Sequence, residues 1–387
     1  MSFPDSEHPI DATLEGSYDK GSQDAIGMVV AVCVALLVVL ASSIALLYIW
    51  KGEDGFIVIG PSTALVSWEW EYKELVGANN DSVVTLDGSG VIVCVVDSGI
   101  DLSHPDLRGI ELVGWRDSVN GIEQPYDDEG HGTAMAGIMV ANGGLKGTSI
   151  GVDLLVAKAI DDQGEGTDST VSDSVDWCVQ SGADIISLSL GGSQSFGSGF
   201  LTTDELEQSV EDAMDSGVFV IASAGNDGED DDGDVGSPGS VEDVICVGGI
   251  TRTGSIWSGS SKGDNDGRFW PNPILPRNDP DMKPEIVAPG HEVPVLFAGG
   301  TENSDWWGWS SGTSAATAWV SGSLALLLEE NPDLQRENSQ GRQSIQSVKN
   351  AISESSQMGE GQSEHDDHYG YGHLRIDLLI GYYADSG

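Results

Sequence analysis

The chain has 387 residues, about two and a half times a usual 150-residue domain, and carries 63 acidic against 16 basic side chains, a formal net charge of −47. That charge excludes non-specific nucleic-acid binding, which needs a basic footprint, and electrostatic docking on anionic lipid. With 39% hydrophobic residues and 11 Trp the chain is too apolar for a disordered polyelectrolyte, and 52 Gly predict many turns and close backbone approaches.

An acidic surface this dense repels itself in dilute salt and is tolerable where salt screens it. The composition therefore points to a salt-adapted protein, with an acidic surface kept for solubility as the alternative.

Residues 1–25 form an acidic N-terminal tail with six acids and one lysine. Residues 26–50 (IGMVVAVCVALLVVLASSIALLYIW) contain no charge. At roughly 1.5 Å per residue this run reaches about 37 Å, enough to cross a bilayer core with some tilt. Tyr48 and Trp50 stand at one end, where an aromatic belt would lie. The tail lacks the basic n-region of a signal peptide, so an uncleaved transmembrane anchor is expected. Lys20 and Lys51 flank the run and cancel, which leaves orientation open. Residues 51–64 read as a juxtamembrane linker, and mixed sequence with SWEWEY continues to about residue 80.

Beyond it, strand-like runs (VIVCVVD, LLVAKAI, DIISLSL, VFVIASA, DVICVGG) alternate with helical patterns (HGTAMAGIMVANG, STVSDSVDWCVQSG, TTDELEQSVEDAMDSG). Strands spaced by amphipathic helices predict βαβ units, an α/β fold with a mostly parallel central sheet between two helical layers. A further helix is expected near SIQSVKNAIS, and residues 227–234 (DGEDDDGD) are too polar for anything but a loop. Cys33, Cys94, Cys178 and Cys246 show no metal-ligand spacing and are expected as free buried thiols rather than disulfides.

In an open parallel sheet, ligands bind at the carboxyl ends of strands. VIVCVVDSGID places Asp97 there, where a carboxylate needs a partner. His131 opens the helix of DDEGHGTAMAGIMVA, and a helix N-terminus disfavours imidazolium, so a mostly neutral, proton-accepting ring is expected. Ser314 opens the long apolar helix of SSGTSAATAWVSGSLALLLEE, where free N–H groups supply part of an oxyanion site. Each alone reads as a cap or a turn residue.

Together with their flanks they do not. DSGIDLSHPDL, HGTAMAG and SSGTSAATAWVSG resemble the three catalytic signatures of the subtilisin-like serine peptidases, the S8-type subtilase family. SLSLGG, ASAGND, PEIVAPG and the closing GYGHLRIDLLI are similar to its secondary ones, and the order Asp, His, Ser is the family's. The resemblance implies a subtilisin-like peptidase domain over residues 65–384.

It implies further that Asp97 orients His131, that His131 is the general base and then acid, and that Ser314 is the nucleophile of an acyl-enzyme mechanism. Asn226 would donate its side-chain amide to the oxyanion. Ser189, Leu190, Gly191, Ala222, Ser223, Ala224 and Gly225 would pair with substrate backbone and wall the first specificity pocket. No cofactor is required for that chemistry. Structural calcium is suggested through Asp106, which matches a position that often ligates calcium, although the loop of residues 142–151 is not clearly the usual partner loop, and no metal ligand set is assigned. The acidic run after Asn226 suggests a preference for basic P1 residues.

Departures from the pattern are Ala315-Ala316-Thr317-Ala318-Trp319, where the family usually has Met-Ala-Ser-Pro-His, and Ala134, where a His is common. Little sequence separates the apolar run from the resemblance, so maturation by autocatalytic removal of a pro-domain is not expected. The resulting expectation is a monomeric, single-pass membrane-tethered serine endopeptidase acting on polypeptides, with the resemblance implying an extracellular domain. The alternative is a subtilase-scaffold peptide-binding protein with little turnover. No HExxH occurs among the seven His, which argues against a zinc peptidase.

Overall fold

The computed structural model describes residues 20–51, 60–190, 205–228, 234–264, 276–300 and 306–386. The chain divides into two compact units, Met1–Ile59 and Gly60–Gly387. In the first, helix α1 spans Lys20–Lys51. Its Ala25–Ala45 stretch has mean hydropathy 2.9 and no buried residue, so it is long and apolar enough to cross a membrane.

The second unit opens with α2 (Thr63–Leu75), within the stretch that reads from sequence as a mixed connection. The Ser62 hydroxyl caps it by accepting from the Leu65 N–H, and Leu65 and Tyr72 bury against the domain. The strands follow as β1 (Ile92–Asp97), β2 (Gly114–Asp117), β3 (Asp153–Lys158), β4 (Ile185–Leu188), β5 (Phe219–Ser223), β6 (Ile245–Ile250) and β7 (Ile286–Pro289). They form one sheet in the order β2-β3-β1-β4-β5-β6-β7, with every neighbouring pair parallel. A hairpin of β8 (Val293–Leu296) and β9 (Trp307–Ser310) stands apart.

Helices α3 (His131–Val140), α4 (Asp168–Gln180), α5 (Glu205–Asp215), α6 (Thr313–Glu330), α7 (Arg342–Ser355) and α8 (Ile376–Ser386) complete the fold. All five strand runs legible in sequence are present; β2, β7 and the hairpin are additions. Strands β4 to β7 are buried at every residue, as expected where both faces of a parallel sheet are covered. Helix α6 is buried along most of its length and packs on β4, β5, β6 and β7. Its small and hydroxyl residues allow that approach: Ser321 Oγ donates to Ser187 Oγ of β4 at 3.0 Å.

The expectation of free buried thiols fails for three of the four cysteines. Cys94 of β1 and Cys178 of α4 form a disulfide, with Cα atoms 5.9 Å apart at a sequence separation of 84. Only the packing of α4 on β1 brings them together, and no local spacing announces that contact. Cys33 is free but exposed on α1, while Cys246 is the free buried thiol expected.

Candidate active site

The strand order reverses at β1, which has β3 on one side and β4 on the other. A crevice opens beyond the carboxyl ends of strands at such a switch point. Asp97 is the last residue of β1 and is 1% exposed. The Ser98 N–H donates to its Oδ1 at 2.7 Å, which holds the carboxylate in place.

His131 is the first residue of α3. Its Nδ1 lies 2.8 Å from Asp97 Oδ1 and 3.0 Å from Oδ2, and donates to the carboxylate. That bond leaves Nε2 as the ring nitrogen able to take a proton. The start of α3 lies close against the turn after Asp97. A Cβ on Gly132 would fall 2.2 Å from the Gly99 carbonyl oxygen, so a side chain there is sterically barred.

The electrostatics correct the expectation of a mostly neutral imidazole. Burial disfavours the imidazolium, but the Asp97 carboxylate, joined by Glu129 and Asp127, outweighs it and pushes the His131 pKa up to about 9. The helix terminus contributes only partial positive charge, whereas full negative charges stand within contact distance.

Ser314 is the second residue of α6, whose N-cap Gly312 provides no side-chain cap. Its N–H belongs to the first turn, where no carbonyl of the helix reaches. In this structure the Ser314 hydroxyl donates to the Ser189 carbonyl at 3.0 Å rather than to His131, and Ser189 Oγ donates back to the Ser314 carbonyl at 3.1 Å. Asn226 follows Gly225 beyond the end of β5. Its Oδ1 accepts from the Thr313 N–H at 2.9 Å and from Thr313 Oγ1 at 3.0 Å, which orients the amide and leaves Nδ2 to face elsewhere. A Cβ built on Gly312 would lie 3.7 Å from both Nδ2 and Oδ1 of Asn226 and 3.8 Å from Ser314 N, so the amide lies close to the start of α6.

Thr313 is the residue that sequence reasoning missed. Wholly buried, it ties the amide of Asn226 to the helix that carries Ser314, and its Oγ1 also donates to the Gly225 carbonyl. Only its place next to Ser314 could have signalled this.

Ser189 and Leu190 continue from β4, and Ala222, Ser223, Ala224 and Gly225 continue through the end of β5. Ser223 Oγ joins the two segments by donating to the Leu190 carbonyl at 2.8 Å. Gly191 lies outside the described residues, as do residues 229–233 of the acidic run. The buried Asp234 at the end of that run is paired with Arg277, whose Nη1 donates to its Oδ1 at 3.0 Å. Its charge is thus compensated in place.

The surroundings of Asp106 do not fit a calcium ion. Its Oδ1 accepts from the Gly144 N–H at 2.8 Å, and its Oδ2 from the Leu145 N–H at 2.8 Å and the Trp307 indole N–H at 2.6 Å. Three N–H dipoles point their positive ends where a cation would sit. Among the described residues no group of three or more His, Cys, Asp or Glu gathers to hold a metal. The substituted residues Ala134 and Ala315–Trp319 are all buried within α3 and α6, away from the reacting groups' hydrogen bonds.

Residues 88–372 match the Subtilase family, peptidase S8. The chain is 36% identical over 271 residues to "Serine protease AprX" of Bacillus subtilis (strain 168), covering 65% of this chain and 59% of that protein. It is 31% identical over 278 residues to "Subtilisin DY" of Bacillus licheniformis, covering 71% of this chain and 89% of that protein. The chain thus spans about three fifths of the length of the first relative and most of the second. Among solved structures, a cold adapted subtilisin-like serine proteinase superposes with a TM-score of 0.55 and 26% identity, over 75% of this chain and 90% of that one.

Proposed function

The chain belongs to the subtilase family, and from that premise we propose that it is a membrane-tethered serine endopeptidase acting through Asp97, His131 and Ser314. The observation that carries the reading is the hydrogen-bonded Asp97–His131 pair at the strand-order switch, in a domain whose helix α6 begins with Ser314 next to the residue that orients the amide of Asn226. An extended polypeptide would pair its backbone with the segments at Ser189–Leu190 and Ala222–Gly225.

The mechanism requires Ser314 Oγ to leave the Ser189 carbonyl and bond His131 Nε2. Such catalytic bonds often form only when substrate is bound. Ser314 Oγ then adds to the scissile carbonyl carbon while its proton passes to Nε2. The oxyanion is received by Asn226 Nδ2 and the Ser314 N–H. As the C–N bond breaks, His131 returns the proton to the leaving amine, and water discharges the acyl-enzyme by the same path. Asp97 holds the ring and stabilises the imidazolium without taking a proton.

The apolar helix α1 supports a single membrane tether, and the acidic surface supports a salty surrounding. The wholly buried Cys94–Cys178 disulfide supports maturation in an oxidising compartment, hence a peptidase domain on the extracytoplasmic side. We take the acting unit as a monomer, each copy carrying a complete set of reacting groups.

The second reading, a peptide-binding scaffold, draws on the Ser314 hydroxyl being bonded to a carbonyl rather than to a base. The full-length wild type and Ser314→Ala, folded in high salt and detergent, are treated with a fluorophosphonate and weighed intact. One adduct on wild type and none on the variant supports the peptidase. A folded wild type that stays unlabelled overturns it in favour of the scaffold. Shaving intact cells with an added protease tests the tether: release of the domain is expected, and a protected domain sinks the outward orientation.

A further inference from the structure

The catalytic pair is held by a carboxylate that takes no part in the proposed chemistry. Asp127 lies in the loop before α3, four residues ahead of His131. Its Oδ1 accepts from Ser98 Oγ at 2.9 Å, from the Gly130 N–H at 2.8 Å and from the Glu129 N–H at 3.3 Å. Its Oδ2 accepts from the Thr133 N–H at 2.8 Å and from Thr133 Oγ1 at 2.6 Å. One carboxylate thereby joins the turn that follows Asp97 to the first turn of the helix that begins with His131.

The need for this joint follows from how α3 begins. Its N-cap is Gly130, in the left-handed region at φ 105, and offers no side-chain cap. The first N–H groups of a helix need outside acceptors. Three side chains supply them in turn: Glu129 Oε2 to the His131 N–H at 2.7 Å, Ser98 Oγ to the Gly132 N–H at 2.8 Å, and Asp127 Oδ2 to the Thr133 N–H. Ser98 Oγ is at once acceptor from Gly132 and donor to Asp127, so it cannot rotate without breaking one of them. Thr133 Oγ1 closes the ring from the other side by accepting from the Asp101 N–H at 2.9 Å. The backbone adds a bridge between Gly99 and Asp127 and a bond from the Ile100 N–H to the Tyr126 carbonyl.

We propose that Asp127 is a positioning residue for the Asp97–His131 pair: it locks the carboxyl end of β1 to the start of α3, so that the imidazole is delivered at a fixed distance and angle. The proposal rests on the reading of Asp97, His131 and Ser314 as the triad. Loosening the joint lets strand and helix shift against each other, and displacements on the order of 1 Å can lower rates about a hundredfold. Asp127 also adds negative charge facing His131, in company with Asp97 on β1 and Glu129 on the same loop, while Lys158 of β3 is occupied by Asp128 at 2.6 Å.

The test compares full-length wild type, Asp127→Asn, Ser98→Ala and Glu129→Gln by fluorophosphonate labelling rate at Ser314 across pH, with a melting temperature for each. Asp127→Asn turns an amide donor towards donors and breaks the joint, so its plateau rate should fall roughly tenfold to a hundredfold. Its acid limb should also move to lower pH, because a negative charge has gone. Ser98→Ala cuts the strand side of the joint with no change of charge, so it should lower the plateau rate without moving the limb. This variant decides the matter if Asp127→Asn fails to fold. Glu129→Gln should move the limb while keeping at least half of the plateau rate. Folded Asp127→Asn or Ser98→Ala labelled within twofold of wild type overturns the proposal, as does Glu129→Gln slowing as much as Asp127→Asn, which would make charge rather than position the cause. An unlabelled wild type is a different failure and falls on the triad reading itself.

Discussion

The buried carboxylates Glu285 and Asp97 are used oppositely in two regions of this domain. Around Glu285 every charge is compensated in place. Its Oε1 meets Lys283 Nζ at 2.7 Å and Lys349 Nζ at 2.9 Å, and its Oε2 accepts the Cys246 N–H at 2.8 Å. Burial opposes the charge on both lysines. It pulls Lys283 down, whereas Lys349, facing both Glu285 and Asp281, is held above its ordinary value. Around Asp97 no lysine or arginine among the described residues is hydrogen-bonded to the carboxylate, and its charge acts on His131. The same side-chain type is cement where a cation answers it and a source of basicity where only an imidazole does.

Substitutions should separate these two roles. Asp97→Asn should lower kcat/KM about 10⁴-fold, since the ring loses the partner that sets its tautomer and stabilises its charged form. The melting temperature should change little; peptide hydrolysis and a thermal melt on one preparation check both, and a mere tenfold loss would erase the contrast. Glu285→Gln should do the reverse. Leaving two buried ammonium groups short of charge costs about 3–5 kcal/mol of stability. Denaturant titration checks this, with labelling per folded molecule expected to match wild type.

Asn226→Ala should cost about 10²–10³ in kcat with KM nearly unchanged, because its amide acts on the transition state. A matching rise in KM would recast Asn226 as a binding residue. The smallest effect is that of pH. A general base works when neutral, so the rate should climb with pH through the His131 value of about 9 and fall tenfold per unit below it. A limb near 6.5 would mean that the carboxylates around His131 are more screened than their geometry implies.

Much of this was legible without coordinates. The runs of β1, β3, β4, β5 and β6 are continuous and apolar because both faces of a parallel sheet are covered, and such runs announce themselves. Strands β2 (GWRD) and β7 (IVAP) are four residues each, too short to carry a period. The helix α2 hid among mixed residues because only Leu65 and Tyr72 bury, and what they bury against lies far along the chain. Tyr72, for instance, donates to the carbonyl of His291.

Asp97, His131, Ser314 and Asn226 could be named from sequence because each sits in a short motif that resembles a subtilase signature; their local settings alone, a strand end, two helix starts and a glycine turn, read as caps and turns. The sequence by itself therefore determined the layered α/β class, the apolar run of α1, the acidic surface and the candidate reacting groups. Tertiary structure decided what depends on distance between remote residues. It decided that Cys94 bonds Cys178, that N–H donors fill Asp106, that Arg277 pairs with Asp234, that Thr313 bonds the amide of Asn226, and that Asp127 bonds the first turn of α3. It also set the direction of the His131 pKa shift, because a helix terminus is a local feature but Asp97 is 34 residues away. Local propensity falls off within a turn or two of chain, whereas Coulomb and hydrogen-bond energies depend only on where the fold puts the atoms.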